Sequence, residues 1–291
     1  MFSLLDKRFT DILVQPARKR NEYSAFCSMV DSADIPEYSK IVFFGDRGYT
    51  SYNNFAHVIE RGQFFLIRCN DKRASGMMGH PVDILPAFDE DISLILTRSK
   101  AITKYSRPEL FSSYRYVYQN APMDYLNDLT TEYDLSLRLL RIQLKDGSYE
   151  NIATNLPRDE FKTEDFEMLY HLRWSEENSF RDLKYSLCLK AFHSKKYAYI
   201  VQEVWARVIL YNFSSSIIIN VTIKREDCAY EYQANYSSAL KTCRDFLRIH
   251  DGTTKINVES LIAQNIEPIR PGRTFARQHR FKLPMSFCYR H

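Results

Sequence analysis

The period of the apolar positions changes several times along this chain, and each change marks a predicted element. Tyr23, Phe26, Met29 and Val30 recur at helical spacing and predict a helix over 18–31, with Pro36 ending the connection after it. Ile41-Val-Phe-Phe44 is a continuous apolar run, the pattern of a strand buried on both faces. It stops at Gly45-Asp46-Arg47-Gly48-Tyr49, where two glycines permit a sharp turn. Ser51 is placed to cap a helix carrying Phe55, Val58 and Ile59, Gly62 closes it, and Phe64 to Cys69 reads as a second buried strand. Strand, helix and strand within about 30 residues predict a βαβ unit.

From Asn70 to Leu156 the pattern shifts to short β-type runs at 92–97, 115–118 and 135–144. The last runs into Lys145-Asp146-Gly147, a hairpin signal, and predicts pairing with 149–154. This segment reads as a mostly antiparallel insertion between two α/β parts. Its Gly76-Met-Met-Gly79 is too short for a phosphate loop and reads as a turn. A long helix is predicted from Thr163, its cap, to Leu187, and another from Tyr197 to Lys224. The fold class is α/β. The expected division is 1–69 and 157–225 as two parts of one core, 70–156 as the β-rich insertion, and 226–291 as a helical region with a basic tail.

Composition narrows the function classes. With 45% hydrophobic and 26% charged residues, the chain has the profile of a globular protein with a sizeable core. Its 20 Tyr and 19 Phe serve packing first, leaving a minority to stack on bases. The cysteines are scattered, with neither CxxC pairs nor zinc spacing, so no disulfide framework or structural zinc is indicated and a reducing cytoplasm fits. Met1-Phe-Ser-Leu-Leu meets Asp6-Lys7-Arg8 too soon for a signal peptide. The most apolar stretch, Val208 to Ile223, is interrupted by Asn212, Ser214 to Ser216 and Asn220. It falls short of the roughly 20 apolar residues that span a bilayer and reads as a buried helix. The net charge of +4 says little about partners. Its placement says more: Arg270, Arg273, Arg277, Arg280, Lys282 and Arg290 crowd residues 270–291, which hold no acid. Such a run serves equally as a phosphate-binding tail or as a solvated terminus.

Two carboxylates stand out. At about 100° per residue, Tyr170, Arg173, Glu177 and Lys184 share one stripe of the long helix. Beside them runs an apolar stripe of Leu169, Leu172, Phe180, Leu183 and Leu187. Glu177 is thus a carboxylate flanked by cations; taken alone, the commoner origin of that arrangement is a structural i,i+4 pair with Arg173. Asp46 ends a buried strand, where α/β sheets place ligand groups, and equally suits a turn before Gly48.

Taken together these residues resemble a known constellation. Residues 170–184 read Tyr-x2-Arg-x3-Glu-x6-Lys, matching the YREK signature of the insertion-sequence-four transposase family. Asp46-Arg-Gly-Tyr49 resembles the block around that family's second catalytic Asp. Asp11 to Pro16 with Arg18-Lys-Arg-Asn-Glu22 resembles the segment before it, and Arg270-Pro-Gly-Arg273 a C-terminal motif. The resemblance implies a ribonuclease-H-like mixed sheet flanked by helices, with a β-rich insertion between the second and third acids of a DDE triad. It makes Asp46 and Glu177 those acids and ligands of Mg²⁺. Tyr170, Arg173 and Lys184, with Arg270 and Arg273, would hold DNA phosphates. The chemistry suits such groups, because two Mg²⁺ about 3.5–4 Å apart serve the attacking and leaving oxygens of phosphodiester transfer. The implied partner is double-stranded DNA at transposon end repeats, bound by a homodimer on paired ends, in the nucleoid region of a bacterial cytoplasm and away from membranes.

The family's first Asp lies on an opening strand upstream. Asp6, Asp11, Glu22, Asp31, Asp34 and Glu37 do not follow a buried strand with that motif. The expectation is therefore an N-terminally truncated transposase that lacks its first strand and is inactive alone. Other readings stay open, among them a relic that does not fold stably because a sheet missing its first strands exposes edges and core; two more concern function. One is a different Mg²⁺ nuclease using Asp46, Glu177 and Lys184, although Glu-x6-Lys is not the compact Glu-x-Lys of restriction-type nucleases. The other is a non-catalytic DNA-binding remnant.

Overall fold

The computed structural model describes residues 1–100, 111–144, 146–172, 174–223, 230–248, 257–269 and 286–287, with backbone alone for 174–176, 286 and 287. The chain opens with two short antiparallel strands, β1 (Phe2–Ser3) and β2 (Arg8–Phe9). Next, Asn21 caps α1 (Glu22–Asp31) by accepting from the Ser24 amide, which satisfies one of the donors a helix start leaves open. Strand β3 (Val42–Gly45), helix α2 (Tyr52–Glu60) and strand β4 (Phe64–Cys69) follow. β3 and β4 pair in parallel, as the βαβ pattern predicts. Gly62, with φ +64°, sits just beyond the end of α2.

Helix α3 (Asp71–Met78) ends at Gly79, whose φ of +83° is the left-handed cap conformation that favours glycine. The Gly76–Gly79 segment is thus the end of a helix rather than a free turn. Then come β5 (Phe88–Thr97), β6 (Tyr114–Tyr116), β7 (Glu132–Gln143) and β8 (Tyr149–Thr154). The predicted hairpin is present, with Gln143 opposite Tyr149. One six-stranded mixed sheet results, in the order β3-β4-β8-β7-β5-β6. β8 pairs directly with β4, so the strands of residues 70–156 extend the sheet that β3 and β4 begin. β3 lies at the edge of the sheet and is covered on both faces, as its apolar run predicted: Phe43 meets Phe26 of α1, while Val42 and Phe44 pack against the cluster around Leu66.

Neighbouring residues of β4 point to opposite faces. Phe65 stacks on Phe55 of α2, with ring centroids 4.6 Å apart. On the other face Leu66 packs with Leu140, Ile152, Phe166 and Tyr170. The last two belong to α4 (Asp165–Leu172). Thr163 does not cap that helix; its hydroxyl donates to Asp89.

Helical residues resume after position 173 as α5 (Trp174–Tyr185), so the predicted long helix is recorded as two segments on either side of an undescribed residue. β9 (Ala191–Phe192) and α6 (Tyr197–Asn220) follow. Then come β10 (Tyr232–Ala234), α7 (Tyr236–Arg248), α8 (Val258–Gln264), β11 (Ile266–Pro268) and β12 (Ser286–Phe287). β10 pairs antiparallel with β11 and β12 pairs parallel with β9. The chain divides into a central unit, Ala17–His171, and a terminal unit made of Met1–Pro16 and Leu172–His291. In the terminal unit Phe9 packs with Leu183, Leu187, Val208 and Tyr211, while Asn212 of α6 makes two backbone hydrogen bonds to Phe9. α6 is half-buried rather than wholly buried, leaving Ile209 64% exposed. No helix among the described residues is long and apolar enough to cross a membrane.

Candidate functional site at the mouth of the parallel strands

Asp46 is the first residue beyond β3. Its position depends on Gly45, because a Cβ there would lie 3.0 Å from Ile67 Cγ1 and 3.3 Å from Tyr49 Cβ. Only a bare backbone lets β3 run this close to β4 as it turns. Gly45→Ala is expected to cost about 1–2 kcal/mol through overpacking, read as a lower urea midpoint.

Beyond the strand, Asp46 Oδ1 accepts from the Gly48 amide at 2.7 Å and caps the 3₁₀ turn Arg47–Tyr49. The turn is tied down on two sides. Thr50 Oγ1 donates to the Arg68 carbonyl at 3.0 Å, and Asn54 Nδ2 donates to the Tyr49 carbonyl at 2.9 Å. The Asp46 backbone is therefore fixed, while its side chain is solvent-exposed.

Beside this turn sits a charge network that the apolar pattern did not announce. Arg68, on β4, donates through Nη2 to Glu150 Oε1 and through Nη1 to the Tyr170 hydroxyl at 3.1 Å, and its guanidinium lies 5.6 Å from the Tyr170 ring centroid. Arg47 Nη2 approaches Glu150 Oε2 at 3.6 Å. Further along, Asp71 Oδ1 accepts from Asn151 Nδ2 at 2.8 Å and from Arg141 Nη1 at 2.7 Å, and these donors hold its carboxyl below the usual range. The signal that could have found these residues is a charged side chain inside an apolar strand run, as at Arg68, Arg138 and Arg141. Such a residue must bring its own counter-charge.

The predicted site residues divide between the two units. Asp46 and Tyr170 belong to the central unit, joined through Arg47, Glu150 and Arg68. Tyr170 is only 6% exposed and packs in the core, so its ring is a structural element as well as a hydroxyl. Glu177 and Lys184 lie on α5 of the terminal unit. Glu177 is half-buried, and Lys184 is exposed with Nζ 5.7 Å from the Phe180 ring centroid. Arg173, Arg270 and Arg273 lie outside the described residues.

A family model described as the transposase DDE domain matches residues 1–213. The chain belongs to the transposase DDE domain family. No curated protein matches it. The match spans Asp46, Tyr170, Glu177 and Lys184, and ends before Arg270. The mixed sheet flanked by helices is compatible with a ribonuclease-H-like DDE domain. Membership implies DNA as substrate and, by ancestry, a polynucleotidyl transferase.

DDE domains use divalent metal ions, and the described residues can be tested against that need. Mg²⁺ wants carboxylates that are not already committed to cations. Glu150 and Asp71 are held by arginines, and Asp46 gives one oxygen to Gly48. Among the described residues no group of three or more His, Cys, Asp or Glu could hold a metal ion. These residues alone do not make a complete divalent-ion site.

Proposed function

We propose that this chain is a DNA transposase of the insertion-sequence-four kind, for cleavage and strand transfer at the ends of an insertion sequence. The observation that carries the reading is the family match spanning both Asp46 and Glu177, with Asp46 held just past the end of a parallel strand. In this reading Asp46 and Glu177 are two of three catalytic acids and meet around Mg²⁺. Tyr170, Arg173, Lys184, Arg270 and Arg273 hold phosphates, and a homodimer brings two ends together. Tyr170 does so from within the core, its hydroxyl oriented by Arg68.

The first acid is assigned to no residue of this chain. Of the six acids before Asp46, none follows a strand of the six-stranded sheet, because β3 is that sheet's first strand in the sequence. Asp31 is at the end of α1, bound to His57, and Asp6 bonds to Ser3. The reading therefore has the chain bind end DNA but leave it uncut.

The test uses purified 291-residue chain, Mg²⁺ and duplex DNA carrying the element's ends. A mobility shift without cleavage is the expected result. Cutting and joining by the wild type, lost in Asp46→Asn and Glu177→Gln, would show that a third acid is present after all. Cutting without joining would favour a different Mg²⁺ nuclease. A biological effect that survives Asp46→Ala and Glu177→Ala would favour a non-catalytic DNA-binding protein. Separately, Asp46→Asn and Glu177→Gln should each weaken Mn²⁺ binding measured by calorimetry, and the double variant should lose little more than either. Unchanged binding in both single variants would sink the shared-ion arrangement.

A further inference from the structure

We propose that Arg47 is a DNA phosphate-binding side chain parked on Glu150, from which an incoming backbone phosphate takes it. The inference rests on the reading of the chain as a DNA-acting protein, and adds to it a contact that the YREK pattern does not contain.

Glu150 is the starting point. Its side chain is only 9% exposed, so its charge must be compensated locally. Arg68 does this through Oε1, by a direct hydrogen bond. The other oxygen, Oε2, is buried and accepts no hydrogen bond among the described residues. The cation facing it is Arg47, and at 3.6 Å the contact is an ion pair without a hydrogen bond. A committed guanidinium–carboxylate pair sits about 2.7–2.9 Å apart. Arg141 with Asp71 and Arg138 with Asp89, each with a hydrogen bond of 2.7 Å, meet that standard in the same unit.

The charge balance shows which arginine can leave. Arg68 and Glu150 neutralise each other, and Arg68 also holds Tyr170. Arg47 is therefore not needed to neutralise Glu150, and its other acidic neighbour, Asp71, is already held by Arg141. Its side chain is 52% exposed, so it keeps much of its hydration while it waits. If Arg47 swings away, the buried pair that remains is still neutral. Departure of Arg68 would instead strand Glu150.

Placement shows where Arg47 would go. It directly follows Asp46, on a turn whose backbone is held by the Gly48, Thr50 and Asn54 hydrogen bonds. The guanidinium can reorient while its Cα stays beside the carboxylate assigned to catalysis. A planar guanidinium grips two phosphate oxygens at once, which an ammonium cannot. Glu150 then acts as an internal competitor for the phosphate, keeping Arg47 from locking onto unrelated anions.

The test is duplex-DNA binding by the full 291-residue chain, followed by fluorescence anisotropy across a salt series. Arg47→Ala is expected to weaken binding several-fold and to reduce the slope of log K against log[salt] by about 1, the signature of one lost phosphate contact. Arg47→Lys should retain the slope while losing part of the affinity. Glu150→Gln should tighten binding about two- to five-fold when Arg47 is present, and have no effect on binding in the Arg47→Ala background. DNA binding with an unchanged salt slope in Arg47→Ala overturns the proposal and leaves the DNA-acting reading intact. No DNA binding by the wild type at any salt concentration overturns both. Should Glu150→Gln fail to fold, the slopes of the two Arg47 variants decide the matter alone.

Discussion

Arg138→Met is expected to destabilise the central unit by about 3–5 kcal/mol, the cost of leaving a buried charge without its partner. Arg138 is 3% exposed on β7 and grips Asp89 with two hydrogen bonds, Nε to Oδ1 and Nη2 to Oδ2. Its remaining nitrogen, Nη1, donates to the Phe161 carbonyl at 2.7 Å, and its guanidinium lies 4.9 Å from the Phe166 ring centroid. Methionine keeps the approximate volume, so the loss isolates charge and hydrogen bonding from cavity formation. Asp89 would retain Arg158, but that side chain is 45% exposed and screened by water. The readout is hydrogen exchange of the β5 and β7 amides, which pair along ten residues.

The same variant carries a pH signature. Burial acts on Asp89 to raise its pKa, but the hydrogen bonds from Arg138 and Thr163 outweigh it and the carboxyl lies below its ordinary range. A depressed folded pKa means stability that is present above the unfolded value, near 4, and lost as pH falls through the folded one. The gap between wild type and Arg138→Met should therefore be full at neutral pH and narrow below about pH 4. A gap that is constant down to acid pH would mean that the arginine acts through packing alone.

His57→Ala is expected to cost about 2–3 kcal/mol, from two charge-assisted hydrogen bonds discounted for the partial exposure of both acids. His57 Nδ1 meets Asp31 Oδ1 at 2.8 Å and Nε2 meets Asp124 Oδ2 at 2.9 Å, which ties the end of α1 and the loop at Asp124 to α2. Only the imidazolium can donate to both carboxylates at once. Burial pulls the His57 pKa down, yet the two hydrogen bonds and the charges of Asp31 and Asp124 together raise it. Asp124 is held low chiefly by the Asn53 amide and then by His57.

The signs fix the pH window. A raised histidine pKa gives stability that is full below the unfolded value near 6.5 and fades as pH rises through the folded value. The depressed Asp124 pKa gives stability that is full above about 4 and fades below it. The clamp should thus be strongest between about pH 4 and 6.5. Urea midpoints of wild type and His57→Ala should converge as pH rises past the folded histidine pKa. Midpoints that stay equally far apart at pH 9 would contradict a clamp made by the charged ring.

Much of the central unit was legible from periodicity. The runs at 41–44, 64–69 and 149–154 became β3, β4 and β8 within a residue or so, and Gly62 lies just past the end of α2. These features depend on local sterics and on which residues avoid water, so a linear reading captures them. Thr163 shows the opposite case. It has the side chain of a helix cap, yet its hydroxyl goes to Asp89, a residue 74 positions away whose approach only the folded sheet creates. The charge network beside Asp46 failed to show for the same reason. Arg68 lies inside an apolar run, and nothing near it in the chain says that Glu150, 82 positions later, will supply the counter-charge.

The sequence by itself determined most of the element types, though not α3, together with the parallel βαβ start and the motif that points to the DDE family, because propensity, turn chemistry and spacing are local properties. Only the tertiary structure decided that β8 inserts beside β4, that Tyr170 turns its ring into the core, and that Arg68 and Arg47 share one buried carboxylate. Strand order and ion pairing are choices among distant partners. They are settled by which arrangement leaves the fewest buried charges and backbone groups unpaired, a quantity that exists only once the chain is folded.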